Sequence, residues 1–186
     1  MEKTLSEMSN EELWQLFPII LTEHKDYWKE YYKEEELSLK EILRSDIYRI
    51  NHIGSTAIPG LVAKPTIDIL LEIEEHTDTR HLIQVLEKAG YIYSPQPQKP
   101  APHMMFMKGY TPKGFEKKVY HIHIRYAGDW DEVYFRDYLL SHPEDAKRYG
   151  MLKESLMTKY EYDRDAYTEA KSEFIQNIIN KARKNI

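Results

Sequence analysis

The sequence predicts a mixed α+β domain over residues 1–186, and three observations carry that expectation. Apolar residues recur at helical spacing near both ends, in a short N-terminal helix within 1–17 and in a helical part over 130–186. Between them, 66–74 and 115–126 alternate in the way strands do when their two faces meet different surroundings. No internal repeat or linker-like stretch divides the chain, whose 186 residues suit about one domain with a sizeable core.

Taken in order, Ser9-Asn10-Glu11-Glu12 is a capping box that opens a short helix through Leu13, Trp14, Leu16 and Phe17. Pro18 closes it, and Ile19-Ile20-Leu21 reads as a short apolar strand. A helix follows from Asp26 to about Arg44, with Tyr27, Tyr31, Leu37, Ile42 and Leu43 as its core candidates. Residues 47–53 form a strand, 54–65 a loop, and 66–74 the clearest strand of the chain. In that strand Ile67, Ile69, Leu71 and Ile73 share one face, and Asp68, Leu70 and Glu72 the other. Thr77 or Asp78 caps a helix through Leu82, Val85 and Leu86, which Gly90 ends. A short strand at 91–93 leads into 94–102, whose prolines argue for a loop. Strands over 103–110 and 115–126 are joined at Thr111-Pro112-Lys113-Gly114. Tyr120, Ile122 and Ile124 point one way, and His121, His123 and Arg125 the other. Helices then run over 130–141, 143–160 and 164–183, the second opened by Pro143. The basic residues Lys181, Arg183 and Lys184 are expected in a solvated tail.

Composition limits the function. The net charge of −5 opposes indiscriminate binding to nucleic acid, which needs a positive surface. No apolar run reaches the length of a membrane span, and the N-terminus lacks the order of a secretory signal. With no cysteine there is no thiolate ligand, and a reducing cytoplasm is the expected location. Composition says nothing of the oligomeric state.

Chemistry concentrates in 52–72. Gly54 allows close backbone approach, and Ser55 and Thr56 set hydroxyls beside backbone N–H groups, a usual means of holding phosphate oxygens. Lys64 can neutralise phosphate charge, and Asp68 on the next strand can hold Mg²⁺. An ordinary turn followed by a strand aspartate would look the same from these residues alone. His52 serves either a ligand or the anchoring of the loop. His121 and His123 form a His-x-His pair that, with Asp68, would make a two-histidine, one-carboxylate metal site. Taken by itself, the histidine face of that strand is expected in solvent.

The string HIGSTAIPGLVAKPTIDILLEI, beginning at His52, resembles the signature of the GrpB family. HIHIR, YFRDYLLSHPEDAKRYGMLKESL and a closing helix with Tyr167, Lys171 and Phe174 continue the likeness, which runs from about Ile19 to the C-terminus. The resemblance implies a fold related to polymerase β-type nucleotidyltransferases, with a mixed, mostly antiparallel sheet flanked by helices. That superfamily's pattern is a hydrophobic residue, Gly, then Gly or Ser, a spacer of about a dozen residues, and Asp, a hydrophobic residue, and Asp or Glu. Ile53, Gly54, Ser55, Asp68 and Ile69 match it, and Leu70 stands where the second carboxylate belongs. Alternate strand residues lie about 6.6 Å apart, close enough to clamp one ion, whereas Glu72 is about 13 Å from Asp68.

The resemblance therefore implies a small-molecule nucleotide or other phosphate-bearing ligand. Gly54, Ser55, Thr56, Lys64, Arg125 and Arg136 would hold phosphates, with Lys153 another cation of the downstream motif. Asp68, His121 and His123 would be metal ligands or catalytic groups lining the same cleft. Mg²⁺ or Mn²⁺ is the expected ion, ahead of Zn²⁺ or Ni²⁺. Nucleotidyl transfer to a small acceptor is the reaction the fold implies. A binding module without catalysis is the first alternative, and a CoA-like ligand fits it because some family members are fused to dephospho-CoA kinase. A metal hydrolase built on His121, His123 and Asp68 is the second.

Overall fold

The computed structural model describes residues 3–184. Alternating segments become five strands: β1 (Ile47–Ile53), β2 (Thr66–Ile73), β3 (Ile92–Pro95), β4 (Met104–Thr111) and β5 (Gly114–Tyr126). Segments with helical spacing become α1 (Asn10–Leu16), α2 (Trp28–Leu43), α3 (Thr79–Lys88), α4 (Asp131–Ser141), α5 (Pro143–Tyr160), α6 (Arg164–Glu169) and α7 (Ser172–Lys184). The strands form one sheet in the order β1-β2-β5-β4-β3. Only β2 and β5 run parallel, so the sheet is mixed and mostly antiparallel. The fold is the α+β class expected.

Local signals set the ends of several elements. The Ser9 hydroxyl accepts from the Glu12 N–H while the Glu12 carboxylate accepts from the Ser9 N–H, satisfying two donors that α1 leaves open. The Asp78 carboxylate accepts from the N–H groups of Arg80 and His81 at the start of α3. Pro143 opens α5, where its missing N–H costs nothing.

Both faces of β2 are buried, as expected for a central strand with a parallel neighbour. On one face Ile67, Ile69, Leu71 and Ile73 pack with Ile122 and Ile124 of β5 against Trp28, Leu39 and Leu43 of α2 and Leu82 and Leu86 of α3. On the other, Asp68 stands beside His121, Leu70 beside His123 and Glu72 beside Arg125. Helices α4, α5 and α7 build a second apolar cluster with Ile58 and Leu61 of the loop after β1. The cleft lies between that helical layer and the polar face of the sheet.

A bulge re-aims one side chain toward the cleft. The β4–β5 register shifts between Lys108 and Tyr110, around Gly109. Gly109 has φ 88°, and a Cβ there would lie 2.2 Å from the Lys118 carbonyl oxygen, so only glycine fits. The pairing passes from Lys108 with Tyr120 to Tyr110 with Phe115, an offset of three residues, and because that offset is odd Tyr110 lies on the face of His121 instead of the apolar face.

Several expectations are corrected. Tyr27 and Leu37 are exposed, while Trp28 and Leu39 are buried, because α2 faces the sheet with a different stripe of its surface. Residues 19–21 form no strand; a single bridge joins Thr22 to Ala63, and the Ile19 N–H bonds the Glu161 carbonyl. Strand β3 extends into the proline-containing tract as far as Pro95, which an edge strand tolerates. The helix expected over 164–183 is two helices broken at Ala170 and Lys171. Arg183 pairs with Asp129 and Asp131, and Lys181 with Asp145, so these residues are not a free tail.

Glu72 fastens the far end of the polar face. It is fully buried, takes two bonds from Arg49 at 2.5 and 2.8 Å, and accepts the Gly128 N–H. Removing Arg49 leaves a carboxylate in the interior with one donor. Because the Arg49 side chain is half exposed, Arg49→Met is expected to destabilise the fold by about 2–3 kcal/mol, less than a fully buried broken pair costs. The double variant R49M/E72L should recover most of that in urea unfolding.

Candidate functional site

The loop after β1 closes on β2 through one tight contact. Gly54 has φ 72°, and a Cβ there would sit 2.7 Å from Asp68 Oδ2. Ser55–Ala57 then forms a single turn of 3-10 helix beside the carboxylate. The His52 ring bonds the Thr56 hydroxyl at 2.9 Å and stacks on Tyr32, so His52 anchors the loop. Burial pushes the His52 pKa down to about 4, keeping it neutral in that role.

Asp68 receives two histidines. His123 Nε2 is 3.2 Å and His121 Nδ1 3.5 Å from its Oδ1. Burial raises the Asp68 pKa, but hydrogen bonds and charge from His121 and His123 outweigh it, so the carboxyl is held well below its usual range. Burial lowers the His121 pKa, against the pull of Asp68. With its Nδ1–H toward Asp68, His121 presents Nε2 to the Tyr110 hydroxyl, 2.6 Å away. Candidate ligand atoms of Asp68, His121 and His123 all lie within 4.8 Å of one another. Two imidazoles and one carboxylate suit Mn²⁺ or Zn²⁺ better than Mg²⁺, which prefers oxygen donors. Leu70, fully buried, leaves no second carboxylate for a Mg²⁺ clamp.

The cleft has a volume of about 380 Å³. Gly54, Ser55, Thr56, Lys64, Asp68 and His121 line it, so most of the sequence-derived candidates meet there. His123 adjoins it through Asp68. Two candidates lie elsewhere. Arg125 is buried against Trp130, 3.6 Å from Glu132. Arg136 bonds the His52 carbonyl and the Asn51 side chain, which braces β1 from outside the cleft.

The helical layer adds groups that alternation along the strands does not reveal. Lys153 of α5 is buried, donates to Ser55 Oγ at 2.9 Å, and also bonds the Val62 carbonyl. Lys171, in the break between α6 and α7, stands over the Tyr167 ring at 4.3 Å, and Lys64 lies 5.8 Å from the same ring. Among the described residues the buried Tyr167 hydroxyl has no hydrogen-bond partner, a condition that ordinarily costs about 1–3 kcal/mol. Burial, with Arg164 and Lys171 nearby, lowers the Lys64 pKa to about 7. Burial and the neighbouring lysines bring Lys153 to about 7, and burial brings Lys171 to about 8. At its other end the cleft is walled by Phe135, Ile175 and Ile179. The only sequence signals for Lys153, Tyr167 and Lys171 were the family-like motifs downstream.

The profile of the GrpB protein family matches residues 18–181. A glutamate-rich protein GrpB from Alkalihalophilus pseudofirmus is 35% identical over 87% of this chain and 94% of its own length. A UPF0157 protein from Pseudomonas aeruginosa is 36% identical over 83% of this chain, and the match spans 64% of that relative. The crystal structure of conserved protein GrpB from Enterococcus faecalis superposes with a TM-score of 0.77 at 34% identity, covering 89% of this chain and 98% of that one. Among the described residues, no helix is long and apolar enough to cross a membrane.

Two measurements follow from the geometry. Gly54→Ala combines a backbone conformation nearly reserved for glycine with a clash on Asp68, and urea unfolding should show a loss of about 2 kcal/mol. The lysines give a pH dependence. Their pKa values are near 7–8 in the folded protein and about 10.4 when unfolded, so between these limits the unfolded chain binds more protons. Stability of the ligand-free protein should therefore rise as pH increases from about 7 toward 10, with the penalty fully present below 7. Lys153→Met should flatten the rise of the thermal midpoint over that window.

Proposed function

This chain belongs to the GrpB family, and on that footing we propose that its cleft binds a nucleotide or a related phosphate-bearing small molecule together with a divalent metal ion. One observation carries the reading: a compact Asp68–His121–His123 donor cluster opens, through Asp68 and His121, on a cleft that three lysines also line. The donor set fits Mn²⁺ well and Mg²⁺ less well, since only one of its three ligands is an oxygen donor. Asp68, His121 and His123 would hold the ion, which supplies Lewis-acid neutralisation of phosphate oxygens. Ser55, oriented by Lys153, and the backbone of the Gly54 turn would hold phosphate oxygens, with Lys64 offsetting charge. Phe135, Ile175 and Ile179 offer an apolar surface to the rest of the ligand.

The reaction class we assign to this arrangement is nucleotidyl transfer to a small acceptor. A second reading has a specific observation behind it. Leu70, buried where the superfamily pattern has its second carboxylate, favours a module that binds a nucleotide or CoA-like molecule without turnover. The His-His-Asp donor set is also one that metal hydrolases use, which makes hydrolysis the third class to assay.

Titration calorimetry with nucleoside triphosphates, with and without Mn²⁺, tests binding. The ion should tighten binding about 10-fold or more, equivalent to about 1.4 kcal/mol, and Asp68→Ala should remove that gain. Unchanged nucleotide and metal binding in Asp68→Ala would sink the assignment. Turnover of labelled nucleotide separates transfer from simple binding, and metal-dependent hydrolysis that proceeds without an acceptor and is lost in His121→Ala would favour the hydrolase.

A further inference from the structure

We propose that the helical wall of the cleft forms a metal-independent subsite for a dianionic phosphate group, a phosphate monoester or diphosphate, built from Lys64, Lys153, Lys171 and Tyr167. The proposal deepens the nucleotide-binding reading and rests on the same cleft, but it concerns different elements. The metal donors come from β2 and β5. These four residues come from the loop before β2, from α5, from α6 and from the turn that breaks α6 from α7.

Two independent features indicate a ligand there. Lys153 is only 3% exposed, yet among the described residues no carboxylate bonds it; Ser55 Oγ and the Val62 carbonyl take two of its three donors. Buried cations are ordinarily paired. Tyr167 is fully buried, lines the cleft, and has a hydroxyl with no partner among the described residues. A buried donor of this kind is satisfied when an acceptor is bound.

Charge fixes the class of anion. Three lysines face the cleft with Arg164 behind them, and the carboxylate between them, Asp68, already has two histidines. Asp131 and Glu132 also line the cleft, but Arg183 pairs with the first and Arg125 with the second. A carboxylate carries one charge and would leave most of the lysine charge uncompensated. A phosphate dianion supplies two charges and several strong acceptor oxygens for the ammonium groups and the Tyr167 hydroxyl. Because these cations belong to the protein, binding needs no metal ion. The depressed lysine pKa values agree with a cluster of cations that awaits its counter-anion.

The test titrates the intact chain with inorganic diphosphate and with orthophosphate in excess EDTA, using acetate as the monoanion control. Saturable diphosphate binding is expected, with acetate showing none. Lys171→Met and Tyr167→Phe should each weaken diphosphate binding about 10-fold, the loss of one strong hydrogen bond or more. Mn²⁺ binding is read separately, and His123→Ala should abolish it. Tyr167→Phe keeps the ring and the packing, and a thermal midpoint recorded alongside identifies any variant that fails to fold. Diphosphate binding that requires Mn²⁺, that acetate reproduces, or that folded Tyr167→Phe and Lys171→Met leave unchanged would overturn the proposal. The two readings fail separately. Diphosphate bound in EDTA with no nucleotide binding removes the nucleotide assignment alone. Nucleotide bound only with Mn²⁺, and no diphosphate bound in EDTA, removes the subsite alone.

Discussion

The parallel pairing of β2 with β5 is the constraint on which the rest of the structure depends. In a parallel pair, residues in register point to the same side of the sheet, so a single register decides two faces at once. Asp68 beside His121 and Leu70 beside His123 put the carboxylate and both imidazoles together. The same register aligns Ile67, Ile69 and Leu71 with Tyr120, Ile122 and Ile124 over α2 and α3. A slip of one residue would turn the charged set into the apolar core and the isoleucines toward the cleft. The apolar face thus holds the polar face in register, and packing energy positions chemistry it does not touch.

Around that pair, three tight features orient the site. Gly54 lets the loop after β1 close against Asp68, where any side chain would displace the carboxylate. Gly109 allows the bulge that turns Tyr110 to His121. Glu72, held by Arg49 and the Gly128 N–H, fixes the other end of the face and joins the start of the helical layer to the sheet. Two glycines and one buried carboxylate do this work, each through geometry that a larger or neutral replacement loses.

The strands were legible because their pattern has a period of two and their apolar residues are β-branched or aromatic, as at Ile67-Asp68-Ile69 and Tyr120-His121-Ile122. The core stripe of α2 was not, since its apolar and charged residues crowd several faces and only docking selects Trp28 and Leu39 over Tyr27 and Leu37. The break at Ala170 and Lys171 was equally hidden, because Glu, Ala and Lys are all good helix formers. The family resemblance implied Arg125 and Arg136 as phosphate ligands, yet tertiary contacts hold each elsewhere, Arg125 by Glu132 and Trp130 and Arg136 by Asn51 and the His52 carbonyl.

The sequence by itself determined the fold class, the alternating faces of β2 and β5, the Gly54-Ser55 turn, the absence of a second carboxylate at Leu70, and the likeness to the GrpB family. These are matters of local periodicity, residue type and motif, which neighbours along the chain settle. Only the tertiary structure decided that His121 and His123 share Asp68, that Tyr110 stands behind His121, and that Lys64, Lys153, Lys171 and Tyr167 converge on one cleft. Those groups come from segments up to about a hundred residues apart, and they meet because sheet register and helix docking bring them together.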